Sequence, residues 1–156
     1  VREYIDRTLE FTKKEGYCET LFGRRRYLPE LNAANFQLRA AAERMAVNHP
    51  IQGTAADLMK MAMIEVYRVI ASLPAVGREL ATKQSHGIAT AASGDLAMTS
   101  QVKMILQVHD ELVLEVKEGL AEEVGQLVKK TMEQVVTLRV PIKVGVSSNR
   151  SWGEMK

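Results

Sequence analysis

VKMILQVHDELVLEV, Val102 to Val116, is the stretch on which the fold turns. Val102 to Val108 is an almost continuous apolar run interrupted by Lys103 and Gln107, and it predicts a buried strand. Leu112, Leu114 and Val116 alternate with Glu111, Val113 and Glu115, so the strand that follows has one clearly apolar face. Only His109 and Asp110 lie between the two runs. Both belong to the few non-glycine types that tolerate a positive φ, so a two-residue hairpin turn is feasible without glycine.

Downstream, Glu118 to Val136 predicts a helix with Leu120, Val124, Leu127, Val128, Thr131 and Val135 on one face and charged or amide side chains on the other. Pro141 permits a new edge strand, Ile142 to Val146, and Trp152 is expected to anchor the tail against the domain. Upstream, Pro74 to Ser100 has no sustained apolar period and is rich in Gly, Ser, Ala and Thr, which predicts a long flexible insertion whose His86 is an exposed loop residue. Before it, Leu58, Met59, Ala62, Met63, Val66, Tyr67 and Ile70 recur at helical steps from about Gln52 or Thr54 to Ser72, with Asp57 suited to the positive end of the helix dipole. A separate Ala-rich helix is expected over Asn35 to Asn48, ended by the bias that Pro50 places on His49. Met45, Met59, Met61 and Met63 read as core filling. Arg2 to Glu15 is amphipathic and stops at Gly16. Tyr17 to Phe22 and Tyr27 to Pro29 are extended, with Arg24, Arg25 and Arg26 on the turn between them. The order is helix, short hairpin, two helices, hairpin, helix, strand. That is an α+β layout with helices packed behind an antiparallel sheet.

Length and composition set the outer bounds. The chain has 156 residues, 46% hydrophobic and 26% charged, which fits one ordinary globular domain with a real core. No run approaches the roughly 18 apolar residues of a spanning helix, and no signal peptide opens the chain, so no membrane partner is expected. Cys18 is the only cysteine, which rules out an internal disulfide and suits a reducing compartment. Val1 starts directly in a helical pattern without a capping residue, as in a chain cut from a longer one. A net charge of +2 does not announce a nucleic-acid binder. Its distribution is less even: Lys13 to Arg44 holds seven Lys or Arg against four Glu, a surplus of three. Such a region either meets phosphate or is a solvated surface.

The hairpin turn is the most unusual chemical feature. Two apolar strands would hold Asp110 and Glu111 rigidly, and oxygen ligands of this kind suit magnesium, which takes only one or two protein carboxylates. The alternative is that the two acids simply solubilise a hairpin tip.

LQVHDELVLEV, from Leu106 to Val116, resembles the motif C hairpin of family A DNA polymerases, the bacterial DNA polymerase I type. GYCETLFGRRRYLPEL from Gly16, AAAERMAVNHPIQGTAADLMKMAM from Ala40 and the closing VPIKVGV with Trp152 resemble the same family in the same order. Apart from Pro74 to Ser100, essentially the whole chain is covered.

The resemblance implies a C-terminal part of a polymerase palm and fingers domain, with a palm-like antiparallel sheet. It implies template-directed transfer of deoxynucleotides to a primer 3′ hydroxyl, with two Mg2+ ions. Asp110 is implied as the metal-binding palm carboxylate, with Glu111 a supporting acid; Gln107 and His109 match residues near the primer terminus. Arg44, Asn48 and Gln52 match residues on the DNA minor-groove side, where acceptors occur in every base pair. The spacing of four puts Arg44 and Asn48 on one helix face. Arg24, Arg25 and Arg26 match a stretch near the DNA backbone. Alternatively, Gln52 caps a helix and Arg44 pairs with Glu43 or Asp57.

The resemblance also implies primer-template DNA, deoxynucleoside triphosphates and the upstream remainder of the polymerase as partners, in the nucleoid of a bacterial cytoplasm. A second metal-binding aspartate in a DYSQIELR-like strand and a fingers helix with Lys and Tyr do not occur in these residues. The second carboxylate ligand is therefore expected outside this chain, and the chain alone is expected to be inactive. The rival readings are a non-catalytic DNA-binding remnant and a structural module whose hairpin acids are only surface.

Overall fold

The computed structural model describes residues 1–73 and 101–155. The insertion expected at 74–100 lies outside the described residues. The chain divides into two compact units, Val1–Lys60 and Met61–Lys156.

In the first unit, helix α1 (Arg2–Glu15) ends at Gly16, whose φ of 79° is left-handed and whose N–H donates to the Thr12 carbonyl at 2.9 Å. A glycine takes this conformation without the Cβ penalty that other residues meet. Strands β1 (Tyr17–Glu19) and β2 (Arg25–Tyr27) pair antiparallel, Cys18 opposite Arg26. A 3-10 turn, Pro29–Asn32, leads to helix α2 (Phe36–Ser72). The core of this unit is Cys18, Leu28, Leu31, Ala42 and Ala46, with Leu9 and Met45 packed on it. Small alanines on α2 let the hairpin approach closely; burying Leu28 and Leu31 contributes about 1.5–3 kcal/mol each.

α2 corrects the expectation of two helices separated at Pro50. It is one helix of 37 residues with Pro50 inside. Proline removes one backbone donor and crowds the carbonyl four residues back, but it does not stop a helix that is fastened on both sides. Before Pro50, the Tyr4 hydroxyl donates to the Val47 carbonyl at 3.2 Å and Lys13 pairs with Glu43 at 3.0 Å. After it, the 20–24 turn is bonded to α2, as described below.

The second unit contains the rest of α2, the hairpin β3 (Val102–Val108) and β4 (Glu111–Val116), and helix α3 (Ala121–Glu133). α3 is shorter at both ends than the expected Glu118 to Val136. Val66, Ile70, Val102, Val124 and Val128 form its core, with Met104, Leu112, Leu114 and Val116 supplying the apolar face of the hairpin. β3 is not buried along its length: Ile105 is 59% exposed and Leu106 43%. A bulge explains this. Met104 pairs with Leu114 and Leu106 with Val113, so Ile105 is an extra residue, and beyond it the alternation reverses.

Two more expectations change. Ile142 to Val146 is not a paired strand; the Val144 N–H donates to Glu133 Oε1 at 3.0 Å and Val146 lies against Gly125 of α3. Trp152 begins a short 3-10 turn and stays 49% exposed, so it is not an anchor. The fold is a mixture of helices and small antiparallel sheets: the two hairpins form two separate two-stranded sheets among the described residues.

Candidate nucleic-acid interface and hairpin acids

The β3–β4 register runs to Val108 opposite Glu111, leaving His109 and Asp110 as the two-residue turn. His109 has a φ of 52°, the only positive value outside glycine among the described residues. The Gln107 side-chain amide donates to the His109 carbonyl and so braces this uncommon backbone. The structure thus brings Gln107 and His109 together, an interaction that strand periodicity alone does not reveal. Asp110 and Glu111 are exposed at the tip, and no described residue hydrogen-bonds to or ion-pairs with either carboxylate. No group of three His, Cys, Asp or Glu among the described residues could enclose a metal. One or two free carboxylates on a braced turn fit an ion that keeps most of its positions for water and substrate oxygens, and they do not fit a closed protein cage.

In the first unit, Arg44, Asn48 and Gln52 are all exposed on α2 at steps of four. Each step advances about 40° around the helix, so continuity through Pro50 keeps all three on one stripe. The alternatives fall away: Gln52 is inside a helix rather than capping one, Glu43 is taken by Lys13, and Asp57 by Arg24.

The three arginines do not share a loop tip. Arg25 and Arg26 belong to β2, and Arg24 precedes it. Arg25 lies over the Tyr17 ring, 4.4 Å from its centroid, and its Nε is 3.5 Å from Glu19. Arg26 contacts the Met45 sulfur at 3.2 Å and has no acidic partner among the described residues. Arg24 turns back onto α2: Nε donates to Asp57 Oδ1 at 2.8 Å and Nη2 to the Gly53 carbonyl at 3.1 Å. Asp57 therefore sits mid-helix in an ion pair, rather than in a first turn. Its burial acts to raise the carboxyl pKa, but the Thr20 hydroxyl and Arg24 outweigh that and hold it below the usual range. His49, 9% exposed, lies beside the same turn with its Nε2 lacking a partner among the described residues. Burial first, then Arg24 and Arg26, push its pKa down. The pairing of Arg24 with Asp57 and the place of His49 beside it are not visible in the sequence, because Arg24 and Asp57 are 33 positions apart and no periodicity links them.

The sequence profile of DNA polymerase family A matches residues 1–154. The chain belongs to DNA polymerase family A. Among its relatives in this family, the thermostable DNA polymerase I of Thermus thermophilus is 44% identical over 152 residues, covering 97% of this chain and 15% of that protein. DNA polymerase I of Deinococcus radiodurans is 42% identical over 156 residues, covering all of this chain and 14% of the relative. Among solved structures, the POL domain of Pol1 from M. smegmatis in complex with DNA primer-template and dNTP is similar with a TM-score of 0.75 and 41% identity. The match covers 97% of this chain and 22% of that one. The chain thus spans about one seventh of the length of the family A relatives it matches. No helix among the described residues is long and apolar enough to cross a membrane.

Proposed function

We propose that this chain is the C-terminal catalytic segment of a DNA-directed DNA polymerase, with a palm-like hairpin, acting together with an upstream portion in the nucleoid of a bacterial cytoplasm. The observation that carries the reading is Asp110, on a braced turn at the apex of a hairpin and without a partner among the described residues, in a chain of family A. The similar polymerase domain solved with primer-template and dNTP supports the same substrates here.

In this reading Asp110, with Glu111 beside it, supplies one side of a divalent-metal site; the second carboxylate comes from outside these residues. Mg2+, when bound there, supplies charge neutralisation for the primer oxygen and the leaving pyrophosphate. Gln107 and His109 line the primer terminus, His109 as a positioning contact rather than an acid or base. Asn48 and Gln52 offer neutral donors, and Arg44 a charged one, to acceptors that every base pair presents in the minor groove. These donors test the shape of a pair without reading its sequence. Arg26, exposed and without an acidic partner among the described residues, is the best phosphate contact of its triplet, with Arg25 beside it.

The test is Asp110→Asn in the complete polymerase. Nucleotide addition should be nearly abolished while duplex affinity stays within a few-fold of the parent. Activity within a few-fold of the parent would refute the assignment. The chain on its own should add no nucleotides, since one hairpin does not hold two dications.

A further inference from the structure

The part of α2 that carries the minor-groove donors runs across its weakest point. Pro50 has no N–H, so the Ala46 carbonyl loses its helical partner between Asn48 and Gln52. The first two turns after Pro50 are tied to the 20–24 turn by an unusual set of bonds. The Leu21 N–H donates to Thr54 Oγ1 at 2.9 Å, and the Thr54 hydroxyl donates back to the Pro50 carbonyl. Arg24 bonds at once to the Gly53 carbonyl and to Asp57. The turn closes on itself through Thr20 N–H to the Arg24 carbonyl at 3.0 Å, and it approaches Gly53 so closely that a Cβ there would be 2.7 Å from Thr20 Cγ2. A guanidinium in this geometry, bidentate between an acid and a carbonyl, fixes direction as well as distance.

We propose that Arg24 and Asp57, with Thr54, form a positioning clamp that sets the phase of α2 after Pro50, so that Gln52 faces the same groove of a primer-template duplex as Asn48. This rests on the minor-groove reading of Asn48 and Gln52 given above. In it, Arg24 is a positioning residue and not a phosphate contact, although it sits beside Arg25 and Arg26 in sequence.

The experiment uses the complete polymerase carrying Arg24→Ala, Arg24→Lys, Gln52→Ala and the Arg24→Ala/Gln52→Ala double variant. The first readout is the ratio of extension rates from matched and mismatched primer termini. Arg24→Ala should lower this ratio about five- to tenfold, the scale of one misplaced hydrogen bond. Gln52→Ala should lower it similarly, and the double variant should fall no further than either alone. Arg24→Lys keeps the charge but cannot hold both partners, so it should recover the ratio only in part. The second readout is duplex affinity against salt, where the slope for Arg24→Ala should match the parent. The third is amide exchange over Gln52 to Asp57, which Arg24→Ala should speed.

A lower overall rate with an unchanged ratio would reduce the clamp to plain structural support and overturn the proposal. A shallower salt slope would make Arg24 a phosphate contact and overturn it too. An unchanged ratio in Gln52→Ala would defeat the minor-groove reading itself, while the exchange data would still report whether the clamp holds α2.

Discussion

Gly53→Ala pits two opposing effects of known size against each other at one position. Alanine in a helix interior is favoured over glycine by about 1 kcal/mol, so on propensity alone the substitution stabilises α2. The surroundings decide otherwise. An added Cβ would meet Thr20 Cγ2 at 2.7 Å, His49 Cε1 at 3.1 Å and Arg24 Nη2 at 3.3 Å. Thr20 is 4% exposed and stiff at χ1, and His49 is 9% exposed, so neither can simply swing into solvent. Overpacking of this kind costs about 1–3 kcal/mol, and three close neighbours put Gly53 in the upper half of that range. The net expectation is a loss of about 1–2 kcal/mol. Gly125 of α3 is the control: a Cβ there meets only Val146 Cγ1, at 3.1 Å, and Val146 is 50% exposed and able to give way. Gly125→Ala should be neutral or stabilising by up to about 1 kcal/mol. Native-state hydrogen exchange reads α2 and α3 separately. Protection of the α2 amides after residue 53 should fall about five- to thirtyfold in Gly53→Ala, while that of α3 in Gly125→Ala holds or rises. Protection in Gly53→Ala at or above the parent level would refute the close approach of the 20–24 turn to α2.

His49 gives a pH dependence of defined sign. Its folded pKa is depressed, so as pH falls below the ordinary value of about 6.5 the unfolded chain binds a proton before the folded one does. Stability should therefore drop between about pH 7 and about pH 5, and His49→Leu should flatten that slope; an unchanged slope by thermal unfolding counts against a buried neutral ring. For DNA binding, Arg26→Ala should reduce the slope of log affinity against log salt by up to about 0.9, the value for one phosphate contact. Arg44→Ala should lower duplex affinity with a smaller change of slope, and a full loss of about 0.9 would make Arg44 a phosphate contact rather than a groove donor. Ile70→Ala, in the core of the second unit, should cost about 2–5 kcal/mol measured by α3 protection, and a loss below about 1 kcal/mol would contradict that core.

The hairpin, α1 and their limits were legible because they depend on short-range rules. Alternation fixes which side of β4 is apolar, a two-residue gap between strands demands a tight turn, and Gly16 after an amphipathic run ends a helix. The placement of His109 and Asp110 on the turn, and of Arg44 and Asn48 on one helix face, was also legible, since both follow from local patterns; the roles proposed for them rest on the family resemblance. Pro50 shows where such rules fail. Its local bias against helix is genuine, but bonds from Tyr4, Lys13, Leu21 and Arg24, all distant in sequence, hold α2 together across it. The bulge at Ile105 was equally invisible, because a seven-residue apolar run looks the same with or without one extra residue. Ile142 to Val146 has strand composition, yet a strand needs a partner edge, and here Glu133 takes its Val144 N–H. Arg24 marks the same boundary: three consecutive arginines are chemically alike in sequence, and only the fold turns one of them onto Asp57. Local sequence sets what each segment can do; the pairing of charges and donors far apart along the chain sets what it does, because those energies exist only once the segments meet.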